Sequence, residues 1–234
     1  MAAPITQPAP ENLPSQELPP LEHGDRLDQK TFHARYEAMP ENVKAELIGG
    51  MVYLSSPLKP RHGRPHSRLM SWLGLYQEAT PGTDVLDNTT VILSPASEPQ
   101  PDGCLLILPE HGGRTRENAR GDLEGPPELA AEVASSSEAY HLHTKRQDYE
   151  DLGVQEYPVL LVRGARAIWF VRGEQGFVQL QPGPDGILRS RLFGGLWLDA
   201  AALFRGDTAR VHEVLRQGLA SAEHAQFLQR LKRP

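Results

Sequence analysis

Short apolar runs alternate with polar stretches along this chain, and their spacing predicts both strands and helices. Leu69, Trp72 and Tyr76 lie three and four residues apart, which predicts a helix over 62–79. Helix-length segments also occupy 137–152 and the C-terminal region 208–231. Runs rich in β-formers predict strands over 89–93, 103–108, 129–134, 157–162, 167–171 and 177–180. This order predicts a mixed α/β (α+β) fold, in which a central mixed β-sheet is flanked by helices, with further helices at the C-terminal end.

The first thirty residues differ in composition from the rest of the chain. They carry six prolines, five acids and few residues that could be buried, so we expect a flexible extension over 1–30. Thr31 can cap a short helix that carries Phe32 and Tyr36 on one face. We therefore expect a single domain over 31–234, including the C-terminal helical tail.

Composition narrows the protein class further. A single cysteine, Cys104, excludes an internal disulfide and a zinc site built from cysteines. The apolar runs fall short of the ~20 residues that a membrane helix needs, and no secretory leader opens the chain. We expect a soluble, cytoplasmic protein with no membrane association. The net charge of −6 argues against a protein that coats nucleic acid through a broad basic face, although a local basic cleft remains compatible with it.

Two acidic residues stand beside or within apolar strands. Asp102 immediately precedes the run 103–108, and Glu132 lies inside the run 129–134. A buried carboxylate is costly unless a cation compensates it. A structural ion pair would explain either acid alone, whereas two acids on successive strands of one sheet favour a divalent cation such as Mg²⁺ (or Mn²⁺).

Lys145 is the third unusual residue. In the helix over 137–152 it shares one face with Leu142 and Tyr149, and this face must pack on the sheet. Lys145 is therefore either extended to the helix edge or paired with a carboxylate such as Glu132. A plain structural pair is one interpretation. With Asp102 and a metal ion, the group also fits phosphodiester hydrolysis, because the metal acidifies water while the lysine orients the nucleophile or offsets negative charge.

These residues occur in segments that together resemble a known family. The segments are ELIGG (46–50), QPD (100–102), ELAAEVAS (128–135), Tyr140 with Lys145, and GVQEY (153–157). In order and spacing they resemble the Uma-type restriction endonuclease family of the PD-(D/E)XK nuclease superfamily. The resemblance implies a restriction-endonuclease-like core, with DNA as the substrate. It also implies Asp102 and Glu132 as metal ligands, Glu46 on the first helix as an additional acid, Lys145 as the signature lysine, and a possible homodimer.

The chain departs from the superfamily pattern at two positions. The signature lysine normally follows the glutamate by two residues, where this chain has Ala134, so Lys145 must reach the site from the following helix. The family commonly has an acid directly after the tyrosine of that helix, where this chain has His141. His141 is then a residue supporting the site, a partial metal ligand or a solvated side chain.

The segment 59–68 contains four cations, two histidines and no acid. It is either an edge that contacts phosphates or a solvated helix entrance, and a zinc pair of His62 and His66 is disfavoured by Pro65 between them. Three functions remain open. The preferred one is a metal-dependent endonuclease that uses Glu46, Asp102, Glu132 and Lys145. The alternatives are a catalytically inactive nucleic-acid-binding or interaction module on the same scaffold, and a metal-dependent hydrolase with another substrate.

Overall fold

A computed structural model describes residues 18–55 and 59–232 of the chain. Its helices are α1 (Gln29–Glu37), α2 (Pro60–Glu78), α3 (Arg146–Asp151), α4 (Ala200–Arg205), α5 (Thr208–Leu219) and α6 (Ala222–Leu231). A π-helical turn (Tyr140–Lys145) runs directly into α3, and a 3₁₀ turn covers Pro109–His111. The strands are β1 (Ala45–Ile48), β2 (Met51–Leu54), β3 (Thr83–Asp87), β4 (Val91–Ile92), β5 (Gly103–Ile107), β6 (Arg116–Glu117), β7 (Leu123–Glu124), β8 (Leu129–Ala134), β9 (Glu156–Leu161), β10 (Arg166–Gly173), β11 (Gly176–Gln179), β12 (Leu188–Arg189) and β13 (Trp197–Leu198).

The central sheet has six strands in the order β11-β10-β9-β8-β5-β3. Neighbouring strands in this sheet pair antiparallel, except for β8 and β9. These two strands are parallel and are joined by the π-helical turn and α3. The predicted fold class, a mixed α/β sheet flanked by helices, is confirmed. Strand β3, at the sheet edge, is missing from the sequence prediction because its sequence TDVLD offers no apolar run.

Alternation along β8 divides its side chains between two apolar layers. Leu129, Ala131 and Val133 face a layer formed with α2 and the C-terminal helices. Ala130 and Ala134 face a second layer that includes Tyr149. Because successive side chains of a strand point to opposite faces, Glu132 belongs with Ala130 and Ala134. This alternation places the Glu132 carboxylate beneath the segment that carries Lys145.

The N-terminal boundary of the packed chain lies earlier than residue 31. Helix α1 begins at Gln29, and its cap is Asp28, whose side chain accepts a hydrogen bond from the Thr31 N–H, so the predicted Thr31 cap is wrong. Leu21 is buried, and the chain at Arg26 pairs with Met51 of β2. The chain therefore packs on the domain from Leu21 onward, while residues 1–17 of the predicted flexible extension lie outside the described residues.

The C-terminal region predicted as helical over 208–231 consists of two helices. Helix α5 ends at Leu219 and α6 starts at Ala222, where the Ser221 side chain accepts a hydrogen bond from the His224 N–H. This cap explains the break, because a serine at the N-cap satisfies a backbone donor that a continuous helix would bond internally. None of the helices in 18–55 and 59–232 is long and apolar enough to cross a membrane.

Candidate active site

Asp102 and Glu132 lie on neighbouring strands of the central sheet. Strands β5 and β8 are antiparallel with Gly103 opposite Ala131, so the same register places Asp102 opposite Glu132. The Val133 N–H donates a hydrogen bond of 2.7 Å to Asp102 Oδ2, which ties the aspartate directly to β8. The two strands that the sequence singled out thus bring their acids to one end of the β5–β8 pair.

Glu46 reaches this group from a strand, so its predicted location on the first helix is wrong. It lies in β1, which forms a hairpin with β2 through Gly49 and Gly50, both with positive φ. Two residues with positive φ fit a tight hairpin turn that glycine adopts without strain. The Glu46 carboxylate is held by the Gln100 N–H, which donates to Oε1 at 2.7 Å, and by Tyr140 Oη, which donates to Oε2 at 3.2 Å.

Lys145 joins two of these acids. Its Nζ lies 2.5 Å from Glu46 Oε1 and 2.5 Å from Glu132 Oε1, and only 1% of its side chain is exposed. Tyr149, four residues later, donates a hydrogen bond of 3.2 Å to the same Glu132 oxygen. Lys145 belongs to the segment that follows β8. It therefore contacts Glu132 on the face of β8 where the Ala134 side chain also lies.

The buried charges perturb one another strongly. Burial raises the pKa of Glu132 well above its usual range, and the charges of Asp102 and Glu46 act in the same direction. Burial alone would lower the pKa of Lys145, but the two glutamates outweigh it and raise that pKa. Burial would raise the pKa of Asp102, yet the His62 hydrogen bond and the Val133 N–H hold it below its usual range. The group contains three carboxylates and one ammonium, which contacts two of them, so it favours an additional cation.

His141 is buried against this group, which excludes the solvated alternative. Its Nδ1 lies 3.4 Å from Glu132 Oε2, and its Nε2 lies 3.1 Å from Ser137 Oγ. Burial, with the charge of Lys145, lowers the pKa of His141 to about 3. The neutral form of the imidazole is therefore favoured, and it adds no positive charge beside Glu132.

Two histidines of α2 also contact Asp102, a placement that the sequence did not predict. His62 Nε2 lies 3.3 Å from Asp102 Oδ2, and His66 Nε2 lies 2.9 Å from the Asp102 carbonyl oxygen. His66 Nε2 also lies 3.0 Å from Asp87 Oδ1. The sequence offered one signal for this placement. His62 and His66 are four residues apart and lie in phase with Leu69 and Trp72 on the buried face of the helix.

The donor set suits a hard divalent cation in chemistry. Asp102, Glu132 and Glu46 offer oxygen ligands and surplus negative charge, as Mg²⁺ and Mn²⁺ sites require. Over the described ranges, no three His, Cys, Asp or Glu side chains already form a metal-binding group. Glu46 and Glu132 converge on the Lys145 ammonium instead. Asp102 Oδ1 accepts no hydrogen bond within the same ranges, whereas Oδ2 faces His62 and Val133 N–H.

Comparison with known proteins places the chain in a family. The profile of the Uma2 family, described as "Putative restriction endonuclease", matches residues 31–201. The chain belongs to the Uma2 family. All four acidic and basic site residues of this Uma2 protein lie within the matched range. Among curated proteins, no significant match exists.

A solved structure supports the fold of the Uma2 chain. It is described as a crystal structure of "a putative nuclease belonging to DUF820 from Anabaena variabilis ATCC 29413". The TM-score is 0.59 at 16% sequence identity, and the match covers 74% of this chain and 96% of that one. The restriction-endonuclease-like fold predicted from the sequence is thereby confirmed.

Proposed function

We propose that this Uma2 protein is a divalent-metal-dependent endonuclease that hydrolyses DNA phosphodiester bonds. The observation that carries the proposal is the position of Lys145, whose amine meets the Glu132 carboxylate although a different element supplies it. Lysine, glutamate and the neighbouring aspartate would thereby supply the group that the superfamily pattern calls for, with Ala134 at the usual lysine position. Family membership supports a nuclease, and metal dependence with DNA as substrate is the finer part of the proposal.

Each site residue has a distinct role in this mechanism. Asp102 and Glu132 would hold Mg²⁺ or Mn²⁺, and Glu46 would be an additional acid. The bound cation would lower the pKa of a water molecule and stabilise the charge that develops on the phosphate. Lys145 orients the attacking water or offsets negative charge on the phosphate oxygens, while Glu46 and Glu132 fix its amine. His62 and the Val133 N–H both hold Asp102 Oδ2, which orients the Asp102 carboxylate.

Cleavage by the full chain tests the proposal, with Asp102→Asn as the diagnostic variant. Asparagine keeps an oxygen that can accept from the Val133 N–H and His62, so the fold should persist, but it removes the charge that favours a cation. We expect wild-type protein with Mg²⁺ or Mn²⁺ to cut DNA and the variant to lose at least ~100-fold of that activity. Intact supercoiled, linear and single-stranded DNA after incubation with wild type across broad conditions would refute it.

A second candidate function is a non-catalytic nucleic-acid-binding or interaction module. The observation in its favour is the near-complete burial of Lys145 between two carboxylates, which a purely structural ion pair would also show. This candidate expects DNA binding without metal-dependent cleavage by wild-type protein. A homodimer, in which each copy cuts one strand, also stays a proposal, and light scattering at increasing protein concentration tests it.

A further inference from the structure

A histidine of α1, away from the candidate active site, is held by one ring nitrogen only. The fully buried Glu98 carboxylate accepts a hydrogen bond from His33 Nδ1 at 2.9 Å and another from Gln29 Nε2 at 2.7 Å. Because Nδ1 donates, the neutral imidazole keeps a lone pair on Nε2. The His33 side chain is only 10% exposed, and its Nε2 has no hydrogen-bond partner within 18–55 and 59–232. The ring is thus fixed from one side and presents a buried acceptor atom on the other.

Two carboxylates flank this nitrogen. Glu37, one helical turn after His33, has Oε1 at 3.5 Å from Nε2, and Asp122, just before β7, has Oδ1 at 3.8 Å from it. Both separations exceed the ~2.7–3.2 Å of an N–H···O hydrogen bond. Arg120 pairs with the other Asp122 oxygen, Oδ2, at 3.0 Å, which leaves Oδ1 on the side of the ring. Three acceptor atoms lie beside one another here, and this arrangement favours a cation among them.

The separations fit a metal ion better than a proton. A tetrahedral cation with ligand bonds of ~2.1 Å holds neighbouring ligands ~3.4 Å apart. The distances from Nε2 to the two carboxylate oxygens, 3.5 and 3.8 Å, are close to that value. A groove of about 430 Å³, lined by His33 and Glu37 among others, gives an ion and its water ligands access to the ring. Glu98 lies behind the imidazole, as a carboxylate commonly does behind a metal-binding histidine.

We propose that His33 Nε2 and Asp122 Oδ1 bind a transition-metal cation such as Zn²⁺, with Glu37 as a third ligand. No three side chains within 18–55 and 59–232 already form a metal-binding group, so Glu37, whose side chain is 66% exposed, turns towards the cation on binding. An imidazole ligand favours Zn²⁺ over Mg²⁺. The bound ion would tie α1 to the segment before β7. Glu98 would connect it to β1, because its backbone exchanges hydrogen bonds with Leu47.

Isothermal titration calorimetry of the full chain with Zn²⁺ alone, after treatment with a chelator, tests this site. All proteins carry Asp102→Asn, which weakens cation binding at the candidate active site. We expect His33→Asn to bind Zn²⁺ at least ~100-fold more weakly than this parent, because asparagine can keep a donor for Glu98 but lacks Nε2. Glu98→Gln, which removes only the charge behind the ring, should weaken binding ~10-fold. Excess Mg²⁺ should not displace the Zn²⁺.

The matched control is His143→Asn, which replaces an exposed histidine and should bind Zn²⁺ like the parent. Asp122→Asn keeps an oxygen for Arg120, so it should fold normally and still bind at least ~10-fold more weakly. Zn²⁺ should raise the Tm of the parent and of the control, but not that of His33→Asn. No Zn²⁺ binding by the parent, or equal losses in His33→Asn and His143→Asn, would overturn the site and leave a proton or a water molecule as the partner of Nε2. Because the assay contains no DNA, its result does not depend on the nuclease proposal.

Discussion

Replacement of Lys145 by methionine removes the ammonium that two buried carboxylates share. Methionine has a similar volume and leaves no large cavity, so the main change is electrostatic. Glu46 and Glu132 then face each other at a separation set by their present 2.5 Å contacts to one Nζ atom. Breaking a buried pair by removing one partner costs ~3–5 kcal/mol. That amount is a large share of the ~5–15 kcal/mol by which a domain is stable.

The loss should depend on pH in a definite direction. Without the lysine, the folded-state pKa of Glu132, already raised, rises further. The folded variant then binds a proton that the unfolded chain has released, so its stability falls as pH rises from the unfolded value near 4.5 towards the folded value. We therefore expect the difference between wild type and Lys145→Met to be smaller at pH 5 than at pH 7.5.

Urea unfolding, followed by circular dichroism at both pH values, measures these differences. Lys30→Met is the matched control, because Lys30 lies exposed on α1 and its replacement should change stability by less than ~0.5 kcal/mol. The double variant Lys145→Met/Glu132→Gln should regain part of the loss, since one carboxylate charge is gone. A cost below ~1 kcal/mol at pH 7.5, with no change at pH 5, would refute the reasoning.

Three further predictions concern residues outside this ion pair. Burial raises the pKa of Asp148 to about 6, so ionisation of this one group should cost wild type ~1–2 kcal/mol as pH rises from 4 to 6, and Asp148→Asn should lack that part of the pH dependence in urea titrations. Glu156→Ala leaves four donors at 2.7–3.1 Å without an acceptor and should cost ~3–5 kcal/mol in the same assay. Gly218→Ala would place Cβ 2.2 Å from the Gly195 oxygen and should lower Tm by several degrees, whereas Gly74→Ala, with open space around it, should not.

The same stability measurement decides how a loss of cleavage in Lys145→Met is interpreted. The amine is both a proposed catalytic group and a structural partner of two acids, so lost activity in this variant alone does not separate the roles. Asp102 makes no ion pair with Lys145, and its replacement by asparagine leaves the Lys145 contacts in place. Asp102→Asn therefore tests catalysis, and Lys145→Met tests the electrostatic balance of the site.

Local sequence patterns were sufficient for the elements that carry Asp102, Glu132 and Lys145. Strand β8 has all six residues buried, and a strand of this kind reads as a continuous apolar run in which a glutamate is conspicuous. The helical spacing placed Lys145 on the face that packs on the sheet. The proximity of Lys145 to Glu132 could therefore be predicted as well, because the segment that follows β8 packs back over that strand.

Residues placed by contacts distant in sequence were not predictable in this way. Glu46 enters the site because β1 pairs with the loop before Asp102, where Leu47 and Glu98 exchange backbone hydrogen bonds. No local pattern encodes a contact across fifty residues. In the sequence, His62 likewise belongs to a basic segment at the start of a helix. Its contact with Asp102 depends on how α2 crosses the end of β5.

The position of the lysine follows from how the second apolar layer is filled. Ala134, at the usual lysine position, is fully buried and belongs to the layer that contains Tyr149 and Tyr157. The two tyrosine rings meet edge to face at 5.0 Å in this layer, and such dense packing leaves little room for a long side chain at 134. The segment that carries Tyr149 also carries Lys145 one turn earlier. Small residues on β8 thus let this segment approach the sheet closely, and the same approach brings the amine to Glu132.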